Sequence, residues 1–131
     1  MTGDKSEYIQ HWLFRANEDI SVIENLFRSN PEKFSSSICF HAQQAVEKFL
    51  KVYLISIDVD FPRTHDLDYL LSECMKNDTT SFKDLNLKSL TDFEVSIRYP
   101  DDFYIPDISE IKYYRDIALE IKSLVESKIK F

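Results

Sequence analysis

Side chains able to do chemistry fall into three groups along this chain. The segment Arg98-Tyr99-Pro100-Asp101-Asp102-Phe103-Tyr104-Ile105-Pro106 sets one guanidinium beside two carboxylates and three aromatic rings, with two prolines bracketing Asp101 to Ile105. A guanidinium offers a planar fork of donors suited to phosphate, and aromatic rings stack bases, so the segment offers phosphate or nucleotide binding. The plainer reading is that Arg98 pairs with Asp101 or Asp102 while the rings pack over the end of the fold. A second group lies at Gln43, Glu47 and Lys51, spaced by four, with Gln44 and Lys48 in the neighbouring row. Such ladders are commonly solvated faces in which each pair contributes a few tenths of a kcal/mol, about 0.2–0.5. The alternative is a polar ridge that orders a partner subunit or shapes a cleft.

The third group is His11, His41 and His65 with Cys39 and Cys74. No His-x3-His, Glu-x2-His or Cys-x2-Cys spacing is present, and the one acid beside His65, Asp66, is weak support for a metal. No metal and no cofactor is expected. His41 falls on the edge of a helix beside Gln44, and His65 follows Thr64 at a helix start, where polar side chains tie down the turn. The cysteines read as buried, reduced thiols of an intracellular protein.

The elements that must position these groups are helices. Ile9, Trp12, Leu13, Ala16, Ile20, Ile23 and Phe27 recur in steps of three and four, which predicts a helix from about Ser6 to Phe27, stopped by Asn30-Pro31. A second helix is expected to begin at Ser35 to Ser37, capped by their hydroxyls, and to run to about Ile57. It has one stripe of Ile38, Ala42, Ala45, Val46, Phe49 and Tyr53, and a second apolar set of Leu50, Leu54 and Ile57. A helix apolar on two sides is either central or faces another chain. A third helix is expected from a Thr64 cap, with Leu67, Leu70, Leu71, Cys74 and Met75 inward, followed by a polar loop over Asn77–Ser81. A fourth is expected over about Asn86–Ile97. A last helix should follow Asp107, whose spacing to Glu110 is that of a capping box, and run to the C-terminus through Ile111, Tyr114, Ala118, Ile121, Val125 and Ile129. The expectation is an all-α chain: an antiparallel up-and-down bundle of four main helices plus one short helix, in a single domain over residues 1–131.

Composition narrows the function classes. Gly3 is the only glycine, which excludes phosphate loops, dinucleotide fingerprints and nucleophile elbows, all of which need internal glycine. Asp and Glu outnumber Lys and Arg by 23 to 16, a formal charge of −7, so binding to nucleic acid through a broad cationic surface is disfavoured. A local cationic pocket is still compatible. The polar start and the absence of a long apolar run lead to the expectation of a soluble, cytoplasmic protein without membrane contact.

Four pieces together resemble the HEPN domain family: Trp12 with Ala16 and Asp19; the run Cys39-Phe40-His41-Ala42-Gln43-Gln44-Ala45-Val46-Glu47-Lys48-Phe49-Leu50-Lys51; Pro62-Arg63-Thr64-His65-Asp66-Leu67; and Arg98-Tyr99-Pro100-Asp101. They stand in family order over nearly the whole chain. The resemblance implies a helical bundle that usually forms homodimers. Many members are metal-independent ribonucleases, often toxins paired with a nucleotidyltransferase of the MNT type. Their site is an arginine followed by four to six residues and then a histidine, brought face to face across the dimer. Members without the motif bind nucleotide or RNA, or assist the nucleotidyltransferase.

Arg98 matches the motif arginine, but positions 103, 104 and 105 are Phe, Tyr and Ile. Cleaving RNA without a metal needs one group to take the 2′-OH proton and another to protonate the leaving oxygen, and imidazole suits both. Tyrosine, with a pKa near 10, is a poor substitute. The leading expectation is therefore a dimeric, non-catalytic nucleotide- or RNA-binding partner of a nucleotidyltransferase in a toxin–antitoxin-like module. Arg98 would hold phosphate, Tyr104 and Tyr99 would stack on the base with Asp101 beside them, and Lys48 or Lys51 would add positive charge. The alternatives are a ribonuclease whose degenerate motif uses Tyr104 or a histidine folded in from elsewhere, and a pure dimerisation or adaptor bundle.

Overall fold

The structure is a computed structural model and describes residues 3–94 and 104–130. Its elements are α1 (Gly3–Ser29), α2 (Ser35–Ser56), α3 (Leu67–Asn77), the short α4 (Thr79–Phe82), a 3-10 turn (Leu90–Phe93) and α5 (Ile108–Lys128). The chain is all-α, an antiparallel helical bundle. Lys5 near the start of α1 donates to the carbonyl of Ser56 at the end of α2 (3.0 Å), so these two helices run in opposite senses. Asn17 reaches Glu126 at 3.3 Å, and the Arg115 guanidinium lies 4.1 Å from the Phe27 ring centre. α1 is therefore antiparallel to α5 as well.

α2 is the centre. It packs against α1, α5, α3 and the 3-10 turn. Ile38, Cys39, Ala42, Ala45, Val46, Phe49, Leu50, Val52 and Leu54 are completely buried along it. The second apolar set that suggested a partner chain is thus consumed inside this one: Leu50 and Leu54 are covered, and only Ile57 is exposed. Ala42 and Ala45 carry short side chains where neighbouring helices approach. Among the described residues no helix is long and apolar enough to cross a membrane.

Several boundaries differ from the sequence reading, each for a local reason. α3 is capped by Asp66, whose carboxylate accepts from the amides of Asp68 (3.0 Å) and Tyr69 (3.2 Å). Thr64 instead accepts from the amide of Asp66, one step earlier. Ser35–Ser37 do not cap α2: the flanking residue is Phe34, with no side-chain bond. The polar stretch Asn77–Ser81 is not a plain loop. Asp78 accepts from the amide of Ser81 and opens α4, whose Phe82 is buried with its ring 4.9 Å from that of Tyr53.

The helix expected over Asn86–Ile97 is, among the described residues, only the 3-10 turn. Lys88 has a left-handed backbone (φ 50°) and gives its amide to the Asn86 side chain, which breaks the helical run. Leu87, Leu90 and Phe93 are nonetheless buried as expected, while Ile97 lies outside the described residues. Asp107 caps α5 by accepting from the amide of Glu110 at 2.9 Å, and α5 ends at Lys128.

Candidate functional site

Two surface depressions gather several of the chemically capable side chains that the structure describes. The first lies between α1 and α2. Tyr8, His11, Trp12 and Arg15 stand at helical spacings of three and four on α1, and so share one face. With Lys48 of α2 they line a groove of about 210 Å³. The Tyr8 and Trp12 rings meet edge to face, 6.3 Å between centres. Tyr8 is exposed, Trp12 partly buried, and the side chains of His11 and Arg15 are mostly in solvent.

Behind this groove run two networks of buried charge. Asp19, buried on α1, takes Lys48 Nζ on one oxygen (2.5 Å) and His41 Nδ1 on the other (2.8 Å). Glu47, only 4% exposed, takes Lys51 Nζ on one oxygen (3.1 Å). Its other oxygen meets His65 Nδ1 (2.9 Å) and the Gln43 amide (3.3 Å). Gln43 also donates to the carbonyl of His65 and accepts from Gln44. Lys51, 6% exposed, lies 5.7 Å from the Trp12 ring centre and 5.9 Å from that of Phe61.

The four-residue ladder is therefore not a solvated face. Gln43, Glu47 and Lys51 are buried, and each charge is compensated. Taking such groups out of water is costly; here Lys51 bonds Glu47 and lies over the Trp12 and Phe61 rings, while Glu47 also meets His65 and Gln43. The consequence is mechanical: Lys51 fixes the back of Trp12, and Asp19 fixes Lys48, so the groove walls are held in place.

The second depression, about 450 Å³, is lined by Lys88, Ser89, Tyr104, Asp107, Ser109, Glu110, Tyr113 and Tyr114. Tyr104 is exposed and donates its hydroxyl to the Glu110 carboxylate. That bond stabilises the protonated phenol and pushes its pKa up to about 12, with Asp107 adding to the effect. Asp107 and Glu110 face a single cation, Lys88, among these lining residues, a balance that disfavours a phosphate here.

Lys48 thus lines the first groove, Lys51 lies behind it, and Tyr104 belongs to the second. The described residues do not bring Tyr104 together with the two lysines. Arg98, Tyr99 and Asp101 lie outside the described residues. His41 and His65 are both anchored through Nδ1 to carboxylates, which goes beyond tying down a turn. Burial pushes the thiols of Cys39 and Cys74 up to about 12, which removes them as nucleophiles near neutral pH. The reading from sequence passed over Tyr8, His11 and Arg15 as a set. Their spacing was visible, but Trp12 fits the apolar stripe of α1 equally well, and core packing accounts for a ring at that place.

No curated protein and no solved structure matches the chain. The family model described as the HEPN domain matches residues 9–128, nearly the full length and every element from the first turns of α1 to the end of α5. The chain belongs to the HEPN domain family.

Proposed function

We propose that this HEPN chain is a non-catalytic nucleotide- or RNA-binding protein, acting as a cytoplasmic homodimer beside an MNT-type nucleotidyltransferase in a toxin–antitoxin-like module. The observation that carries the non-catalytic part is the state of Tyr104. Of Phe103, Tyr104 and Ile105, which occupy the positions of the family's catalytic histidine, only tyrosine can exchange a proton. Its phenol is held protonated by Glu110, with a pKa pushed up to about 12. A general base works best with a pKa near the working pH, so this shift moves Tyr104 away from the role. Binding needs no such group. The Arg98 guanidinium keeps its charge at any physiological pH and supplies phosphate recognition in this reading.

The test is cleavage of a labelled RNA pool by purified protein in EDTA, beside an Arg98→Ala variant. The expected result is no cleavage above the variant, together with a raised melting temperature on adding ATP or short RNAs. A ligand at 100 times its Kd adds about 2.7 kcal/mol. Light scattering should give twice the 15.5 kDa chain mass. Arginine-dependent cleavage would instead make the ribonuclease reading the better one. A melting temperature indifferent to every nucleotide and RNA would leave a dimerisation or adaptor bundle.

A further inference from the structure

We propose that the groove between α1 and α2 is a binding site for one nucleobase and its adjoining phosphate, separate from the Arg98 segment. The proposal rests on the functional reading above for its ligand class, but on different residues for its site. The first argument is the order of side chains. Tyr8 and Trp12 give aromatic surface, while Arg15, His11 and Lys48 bring cationic or hydrogen-bonding groups to the same groove. Rings that stack a base next to a guanidinium that grips phosphate are the two halves of nucleotide recognition. Arg15 and Lys48 are each matched by an acid, Glu18 and Asp19, so the grip on phosphate comes from Arg15 exchanging its exposed contact with Glu18 for the ligand.

The same residues exclude other ligands. An extended peptide or helix needs far more room, since even pockets for small molecules run to roughly 300–1,000 Å³. At about 210 Å³ the groove takes one ring system, with its phosphate at the rim. The rim also limits how many phosphates are gripped. Glu7 stands 3.8 Å from His11, and Glu18 stands 3.4 Å from Arg15, both in solvent. These acids repel a longer polyanion, while an incoming phosphate oxygen can replace the weak exposed contact between Glu18 and Arg15.

The buried networks acquire a purpose in this arrangement. A stacking platform binds better when its rotamer is already fixed. Lys51 and Glu47 fix Trp12 from behind, and Asp19 with His41 holds Lys48 at the groove wall.

Trp12 is the only tryptophan, so intrinsic fluorescence reports on this groove. The probes are AMP, a 5′-phosphorylated ten-nucleotide oligoadenylate, and ribose 5-phosphate as a control lacking the base. The full chain is titrated by fluorescence and, in parallel, by equilibrium dialysis. Expected is quenching of Trp12 by AMP and none by ribose 5-phosphate. Quenching by the oligonucleotide should be weaker than by AMP, because Glu7 and Glu18 repel further phosphates, and quenching as strong as that of AMP would overturn the one-phosphate rim. Arg15→Gln and Tyr8→Ala, both at exposed positions, should each raise the Kd about tenfold. AMP bound in dialysis without quenching, or quenching insensitive to both groove variants, would overturn the groove while leaving the binding function with a site elsewhere. No binding of AMP or the oligonucleotide by either method would overturn both.

Discussion

Glu47 sits at the junction of a lysine, a glutamine and a histidine with almost no solvent contact, so its removal should be felt strongly. Glu47→Ala strands the Lys51 ammonium in a buried setting, and a loss of about 3–5 kcal/mol in urea denaturation is expected. Replacing both charges, as in Glu47→Leu with Lys51→Met, should recover most of that loss, because a buried ion pair adds little over well-packed apolar side chains. A double variant as unstable as the single one would mean that the network matters through Gln43 and His65 rather than through paired charge. The four-residue rhythm of Gln43, Glu47 and Lys51 was legible in the sequence; their burial was not. What buries them comes from elsewhere: Trp12 from α1, Phe61 and His65 from the connector after α2. A periodic pattern records which residues share a face, while solvent access to that face depends on chain segments far away in sequence. Tyr104 shows the same limit. Its place in the motif window could be read, but its tie to Glu110 depends on how the chain enters α5.

At the scale of elements, the long helices followed directly from their apolar stripes, because α1, α2 and α5 each repeat the pattern over many turns. Short elements escaped because they depend on single side chains. α3 begins at Asp66 since a carboxylate reaches two free amides there, and Asp66→Ala should cost about 1 kcal/mol. Thermal unfolding would register that as a drop of about 4 °C. An equal loss in Thr64→Ala with none in Asp66→Ala would contradict the assignment. Two other helix-starting acids give the fold an acid limit. Hydrogen bonds to Lys128 and Ser81 hold Asp78 below its ordinary pKa, and those to Ser109 and Glu110 do so for Asp107. Because the folded values are lowered, their stabilisation is present above the ordinary carboxylate pKa and is lost as pH falls through the lowered ones. Denaturation midpoints taken at successively lower pH should therefore decline on the acid side, and less steeply in Asp107→Asn. A parallel decline in that variant would assign the acid limit to other groups.

For the whole molecule, the alkaline limit is set by the core. Burial raises Cys39 and Cys74 to about 12, against about 8.5 for a thiol in an unfolded chain. The unfolded state thus loses these protons first, and stability is full below about pH 8.5 and falls as pH rises toward 12. Burial raises Tyr53 and Tyr114 in the same direction. The expected result is a denaturant midpoint that drops above pH 9, and drops less in a Cys39→Ala, Cys74→Ala double variant. Equal pH dependence in the two proteins would remove the thiols from the account. The architecture as a whole was legible because helical periodicity and glycine scarcity agree. The sequence signal read as a face for a second chain, the two-sided α2, is spent on packing inside this chain. Glycine scarcity has one more consequence. Asp58 and Lys88 take left-handed backbone with ordinary side chains, a strain of about 1–2 kcal/mol at such positions. A chain with a single glycine, at position 3, samples fewer backbone shapes before it folds, so it surrenders less disorder on folding. Lys88→Gly would relieve one strained turn and loosen the unfolded ensemble together, leaving net stability within about 1 kcal/mol of its starting value.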